Sequence, residues 1–114
     1  MPVNDFNQRT ALLLGNEAVE LLATRRITVV GTGGVGSYAV EMLARAGVGH
    51  ITIVDADVVA PSNLNRQLPA LHSTIGAPKV EVMKRRIHDI NPECTVTALE
   101  MFMTPDNAVS YTHL

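Results

Sequence analysis

A glycine-rich run, Gly31-Thr-Gly-Gly-Val-Gly36, constrains the fold of this chain more than any other feature. It stands between an apolar strand pattern at residues 27–30 and a helix pattern at residues 38–46. Glycines in such a turn let the backbone approach a phosphate chain, and the N-terminus of the following helix offers unpaired N–H groups. The alternative is a turn that only packs a helix closely against a strand. Because strand, turn and helix occur in the required order, the sequence favours a nucleotide-binding unit.

Helix and strand patterns alternate along the rest of the chain. Residues 1–10 resemble a polar arm, and the predicted helices cover residues 17–23, the glycine turn to residue 46, and residues 79–90. The predicted strands cover residues 27–30, 50–55 and 94–99. A further helix is predicted to begin near Thr104-Pro-Asp-Asn107. The fold class is therefore α/β: a Rossmann-like doubly wound sheet, of which three strands with flanking helices form the N-terminal half.

Composition limits the classes of function. With 46% hydrophobic residues and a net charge of −2 over 114 residues, the sequence describes one domain or part of one, without a general attraction to nucleic acid. No apolar stretch is long enough to span a membrane. The single cysteine, Cys94, excludes an internal disulfide and a multi-cysteine zinc site, which fits a reducing, cytoplasmic setting. We expect Cys94 to be a half-buried packing residue rather than a nucleophile.

Two aspartates follow the second predicted strand. Asp55 and Asp57 lie at the carboxyl edge of the predicted sheet, where open parallel sheets bind ligands. We predict that Asp55 accepts hydrogen bonds from a ribose. Asp57 either supports the adjoining loop or holds a magnesium ion through water, because two carboxylates alone do not make a metal site.

The long polar segment 56–78 gathers hydrogen-bonding side chains in Ser62-Asn-Leu-Asn-Arg-Gln67. Arg66 can grip phosphate oxygens with two N–H groups, whereas Asn63 and Asn65 can either hold the loop's own turns or reach a ligand. From these residues alone, loop support and ligand binding are equally good interpretations. Lys79 favours ligand binding, because a cation in the first turn of a helix opposes the helix dipole unless a polyanion lies nearby. The alternative is a lysine that extends to solvent.

Four motifs together resemble the adenylating domain shared by ubiquitin-activating enzymes and the bacterial ThiF and MoeB proteins. They are the glycine run, Asp55-x-Asp57, the segment 62–67 and Gly76-x-x-Lys79, in that order. Within this superfamily, Arg9-Thr-Ala-Leu-Leu-Leu-Gly15 and Ile90-Asn-Pro-Glu-Cys94 resemble the TcdA branch, the tRNA threonylcarbamoyladenosine dehydratases. The resemblance covers nearly the whole chain.

The resemblance implies a set of site residues and ligands. It implies that ATP is bound by a glycine turn, formed by Gly31, Gly33, Gly34 and Gly36. Asp55 would bind the ribose. The phosphates would be surrounded by Asn63, Asn65, Arg66 and Lys79. Arg9 corresponds to an arginine that many members insert into the neighbouring subunit of a homodimer. The family organises Mg²⁺ with an aspartate after a later strand. Residues 1–114 are therefore expected to be the N-terminal part of one longer ATP-binding domain, inactive by itself.

The implied reaction is adenylation, in which a carboxylate attacks the α-phosphate of ATP and pyrophosphate leaves. In the TcdA branch the carboxylate belongs to threonylcarbamoyladenosine in tRNA, which then cyclises with net loss of water. Three alternatives stay open: an activator of a sulfur-carrier or ubiquitin-like protein, an NAD-dependent oxidoreductase, and a binding-only or inactive product. The oxidoreductase would use the same glycines and Asp55, but it gives no role to Arg66 or Lys79.

Overall fold

The computed structural model describes residues 4–104 and contains a sheet of three parallel strands. The strands are β1 (Arg26–Val30), β2 (His50–Val54) and β3 (Thr95–Leu99). Their spatial order is β1-β2-β3, so each successive strand is added on the same side of the sheet. This is the arrangement of the N-terminal half of a doubly wound sheet, and it confirms the predicted fold class.

Within residues 4–104, four α-helices accompany the strands: α1 (Gln8–Leu14), α2 (Asn16–Ala23), α3 (Gly34–Ala46) and α4 (Lys79–Ile90). Helices α2, α3 and α4 confirm the predicted helices. The predicted polar arm is wrong from residue 8 onward, because α1 begins there. Leu12, Leu13 and Leu14 are consecutive and exposed, so the sequence carries no helical period that indicates α1.

Helices α3 and α4 cover the same face of the sheet. The strand register aligns Ile27, Ile51 and Val96 in one row and Val29, Ile53 and Ala98 in the next. These rows pack in the main core with apolar residues of the two helices, which are Val40 and Ala44 from α3 and Val80, Met83 and Ile87 from α4. Because each helix leads back to the start of the next strand, the N-termini of α3 and α4 lie at the carboxyl edge of the sheet.

The long segment between β2 and α4 is closed at its base. Val58 and Pro78 form an antiparallel bridge, and the N–H of Lys79 donates to the carbonyl of Asp57 at 3.1 Å. Between these points the chain forms two short 3-10 turns, Pro61–Asn63 and His72–Thr74. The closed base fixes the first turn of α4 beside Asp57.

Cys94 lies just before β3 and is buried, with 5% of its surface exposed. Burial raises the pKa of its thiol, so the side chain packs as an uncharged group, more deeply than predicted. No helix in the described part of the chain is long and apolar enough to cross a membrane. The predicted helix start at Thr104-Pro105 lies almost entirely outside the described residues.

Candidate nucleotide-binding site

The glycine turn connects β1 to α3 at the carboxyl edge of the sheet. Gly31 has a φ of 92°, a conformation that side chains disfavour, and its N–H donates to the carbonyl of Val54 at 2.7 Å. A Cβ atom at Gly36 would lie 1.8 Å from the carbonyl oxygen of Gly31, so only glycine fits there. The hydroxyl of Ser37 donates to the carbonyl of Gly33. The first N–H groups of α3 have no acceptor within the helix, as in any helix N-terminus, and such groups can bind a phosphate.

Asp55, which directly follows β2, holds this turn in place through hydrogen bonds. Its Oδ2 accepts hydrogen bonds from the backbone N–H of Thr32 at 2.7 Å and from the Thr32 hydroxyl at 2.9 Å. Its Oδ1 accepts from the N–H of Asp57 at 2.8 Å. Burial alone would raise the pKa of Asp55, but these hydrogen bonds and the charge of Lys79 outweigh it and lower the pKa below its usual value. The carboxylate is therefore charged at neutral pH, and its role as a ribose ligand stays a prediction.

Lys79 is a buried cation at the first position of α4, with 6% of its surface exposed. Its Nζ atom lies 3.9 Å from Oδ2 of Asp57, whose side chain is 65% exposed. Within residues 4–104, the ammonium group has no closer ion pair and no hydrogen bond. A buried charge with so little compensation is costly unless a ligand supplies an anion. The side chain of Lys79 is therefore mostly buried, and its role at a phosphate stays a prediction.

Three polar residues of the loop, Asn63, Asn65 and Arg66, have hydrogen-bond partners within the loop itself. Oδ1 of Asn63 accepts from the N–H of Ala60 at 2.8 Å, which holds the loop's first turn. Nη1 of Arg66 donates to the carbonyl of Ser62 at 3.0 Å and to Oδ1 of Asn65 at 2.9 Å. Asn63 and Asn65 therefore support the loop, which was one of their two predicted roles. The Arg66 side chain is exposed, so these contacts leave it open to approach from solvent.

Arg9 is not brought to this site by its own chain. It is exposed on α1, a helix with no buried residue that packs mainly against α2. The last turn of α2 accepts a hydrogen bond at Leu22 from the N–H of Gly49, just before β2 begins. That contact ties α2 to the amino edge of the sheet, opposite the glycine turn.

Comparison with known proteins places this geometry in a family. The model of the ThiF family matches residues 7–113. The chain belongs to the ThiF family.

Among ThiF relatives, the tRNA threonylcarbamoyladenosine dehydratase of Escherichia coli K12 is 53% identical over 102 residues, which are 90% of this chain and 38% of that protein. The Bacillus subtilis 168 protein of the same name is 56% identical over 98 residues, 86% of this chain and 39% of that protein. A crystal structure of the E. coli dehydratase TcdA in complex with ATP matches with a TM-score of 0.93 at 48% identity, covering 100% of this chain and 48% of that one. The chain thus spans about two-fifths of the length of these curated relatives.

The sequence analysis did not predict a cavity at the carboxyl edge of the sheet. A cavity of about 210 Å³ opens beside Asp55 at the carboxyl edge, and residues 101–103 line it together with Val30 and Gly31. Residues 101–103 are Met-Phe-Met and come directly after β3. An apolar run at the end of a third parallel strand was the available signal, because all three strand ends meet at this edge.

Proposed function

We propose that this chain forms the ATP-binding part of an enzyme that adenylates a carboxylate. The observation that carries the proposal is the mostly buried side chain of Lys79, whose ammonium group has one ion pair at 3.9 Å and which lies at the same edge of the sheet as the glycine turn. An oxidoreductase that binds a dinucleotide needs the turn and the acidic residue but leaves this buried cation unexplained. The similarity to a dehydratase solved in complex with ATP supports the same choice.

In the proposed reaction, a carboxylate oxygen attacks the α-phosphorus of ATP. The bond from the α-phosphorus to the bridging oxygen breaks, pyrophosphate leaves, and an acyl-adenylate forms. Negative charge builds on the phosphate oxygens during this step, so its stabilisation is mainly electrostatic and positional. The N-terminus of α3 and the charges of Lys79 and Arg66 would provide it, while Asp55 would position the ribose.

The substrate that we propose is the threonyl carboxylate of threonylcarbamoyladenosine in tRNA. The activated carbonyl then closes a ring, AMP leaves, and the modified base has lost one water overall. This choice rests on the name shared by the relatives that are 53% and 56% identical. A cytoplasmic location follows from such a substrate.

Mg²⁺ is proposed to accompany ATP. Among residues 4–104 there is no group of three or more His, Cys, Asp or Glu side chains that could hold a metal ion. The ATP phosphates would then supply part of its coordination, and we propose that an acidic residue outside the described part supplies the rest.

Arg9 is proposed to reach the phosphates of a neighbouring subunit in a homodimer. Support comes from its exposed position on α1 and from the attachment of α2 to the opposite edge of the sheet. Sedimentation velocity of the chain checks the dimer. A purely monomeric species at concentrations that saturate with ATP would contradict this role of Arg9.

A calorimetric titration of the chain with ATP and with NAD tests the proposed function. We expect ATP to bind at least tenfold more tightly, because one charge-assisted hydrogen bond from Lys79 to a phosphate contributes about 1.5–3 kcal/mol. NAD carries fewer phosphate charges and gains less from the ammonium group. Equal affinity for the two ligands, or tighter NAD binding, would favour the oxidoreductase.

A further inference from the structure

Thr32 lies between Gly31 and Gly33 in the glycine turn and is completely buried. A buried hydroxyl destabilises a fold unless it has a hydrogen-bond partner. The hydroxyl of Thr32 donates to Oδ2 of Asp55 at 2.9 Å, and the backbone N–H of Thr32 donates to the same oxygen at 2.7 Å. Because a β-branched side chain has few accessible rotamers, the hydroxyl is held at this oxygen. Thr32 therefore holds one oxygen of the carboxylate with two donors.

These two hydrogen bonds limit how many further donors Asp55 can accept. An ionised carboxylate has about four acceptor positions, two on each oxygen. Within residues 4–104, Thr32 fills both positions on Oδ2, and the N–H of Asp57 fills one on Oδ1 at 2.8 Å. The contact at Oδ1 is exposed to solvent, whereas those at Oδ2 are partly buried. The acceptor position that remains is therefore on Oδ1, on the side that a ligand can reach.

We propose that Thr32 is a positioning residue of the ribose site, which orients the carboxylate of Asp55 so that it accepts one ribose hydroxyl and not two. A ribose offers its 2′-OH and its 3′-OH to such a carboxylate. The hydroxyl of Thr32 competes with the second of these for Oδ2. An apolar side chain at position 32 could be buried as well, but it would leave one position on Oδ2 free. The inference rests on the proposed binding of ATP.

Calorimetric titration of the unaltered chain with ATP, 2′-deoxy-ATP and 3′-deoxy-ATP is the first test. We expect one deoxy analogue to bind about tenfold more weakly than ATP, because it lacks the hydroxyl that Asp55 accepts. The other analogue should bind within about twofold of ATP. Two analogues that are weakened equally, or two that both bind as tightly as ATP, would overturn the inference. If the unaltered chain binds no ATP, the proposed function fails instead, so the two failures are distinguishable.

Thr32→Val is the decisive variant, because it keeps the shape of the side chain and removes the hydroxyl. With a position on Oδ2 released, Asp55 can accept both ribose hydroxyls. The dissociation constants of the two deoxy analogues should then differ by less than about threefold. Thr32→Ser keeps the hydroxyl and should restore the difference of about tenfold. A purely structural hydroxyl would lower the melting temperature of Thr32→Val without changing the difference between the analogues, and that outcome would contradict a positioning role.

Thr95→Val is the matched control, since Thr95 is exposed at the start of β3, away from the carboxyl edge. It makes the same chemical change and should leave the difference between the two analogues as in the unaltered chain. An equal loss of that difference in Thr95→Val and Thr32→Val would count against the inference. If Thr32→Val does not fold, the titration of the unaltered chain with the two analogues decides.

Discussion

The two ends of the candidate site differ in how completely their polar groups are paired. At the paired end, formed by Asp55 and the glycine turn, both carboxylate oxygens of Asp55 accept hydrogen bonds, and the turn closes on Val54. At the unpaired end, formed by Lys79 and Gln67, the ammonium group of Lys79 has one partner at 3.9 Å, and Oε1 of Gln67 has none within residues 4–104. The paired end therefore sets the shape of the site, while the unpaired end has polar groups that are still able to bind a charged ligand.

The largest effect should come from breaking the shape of the paired end with Gly36→Ala. The added methyl group would meet the carbonyl oxygen of Gly31 at 1.8 Å, and backbone atoms must move to relieve the clash. We expect a loss of about 3 kcal/mol in the free energy of unfolding, with ATP binding lost as the turn opens. Urea denaturation measures the first quantity and calorimetry the second.

Gly34→Ala is the control, because a Cβ atom there meets nothing within 4 Å. Its free energy of unfolding should be unchanged, or higher by at most about 1 kcal/mol, since alanine favours a helix. Similar destabilisation by the two substitutions would show that the close approach at Gly36 is not what shapes the turn.

An effect of intermediate size is expected at the unpaired end from Lys79→Met. Removing the charge should weaken ATP binding by about 2 kcal/mol, because a charge-assisted hydrogen bond to a phosphate is lost. The free energy of unfolding should not fall, since the Nζ–Asp57 distance is 3.9 Å and the partner is exposed. Calorimetric titration and urea denaturation check the two expectations.

Lys84→Met serves as the comparison, because Lys84 is exposed on the same helix. It should leave ATP affinity unchanged. If Lys79→Met and Lys84→Met weaken ATP binding equally, then general electrostatics and not a buried site holds the nucleotide.

The smallest effect concerns the charge of Asp55. Its lowered pKa means that its stabilisation is complete above the ordinary aspartate value of about 3.9 and is lost as the pH falls through the lower folded-state value. Asp55→Asn should therefore cost about 1 kcal/mol in the free energy of unfolding at neutral pH. The difference between parent and variant should stay constant from about pH 7 to pH 5 and shrink below about pH 4.

Urea denaturation at a series of pH values measures this difference. A difference that instead grows as the pH falls from about pH 7 to pH 5 would mean that the pKa of Asp55 is raised rather than lowered. The paired end would then lack the stable negative charge that we assign to Asp55.

Local sequence signals were sufficient to predict most of the helices and strands. Helix α4 has the predicted bounds, Lys79–Ile90, because its apolar residues recur with helical spacing and Asn91-Pro92 ends it. Helix α1 was missed, since its exposed leucines face no core in the described chain and so follow no period. The spacing of apolar residues in a sequence indicates which face of a helix is buried, so a helix without a buried face gives no such signal.

Side-chain partners were harder to predict than elements. The sequence left two roles for Asn63, and only the fold of the loop shows its oxygen on the N–H of Ala60. The Gln67 side chain lies where a Cβ atom on Gly33 would meet it, 34 positions away in sequence, so its place depends on how the whole segment 56–78 returns to the turn. The edge formed by the three strand ends was predictable from topology, whereas its lining by residues 101–103 required the coordinates.

The closed base of segment 56–78 ties the two ends of this segment together. The bridge between Val58 and Pro78 fixes both ends, and the N–H of Lys79 donates to the carbonyl of Asp57 beside them. Lengthening a loop costs only about 0.6 kcal/mol for each doubling of its length. Insertions that leave this base and Arg66 in place can therefore accumulate without moving the first turn of α4.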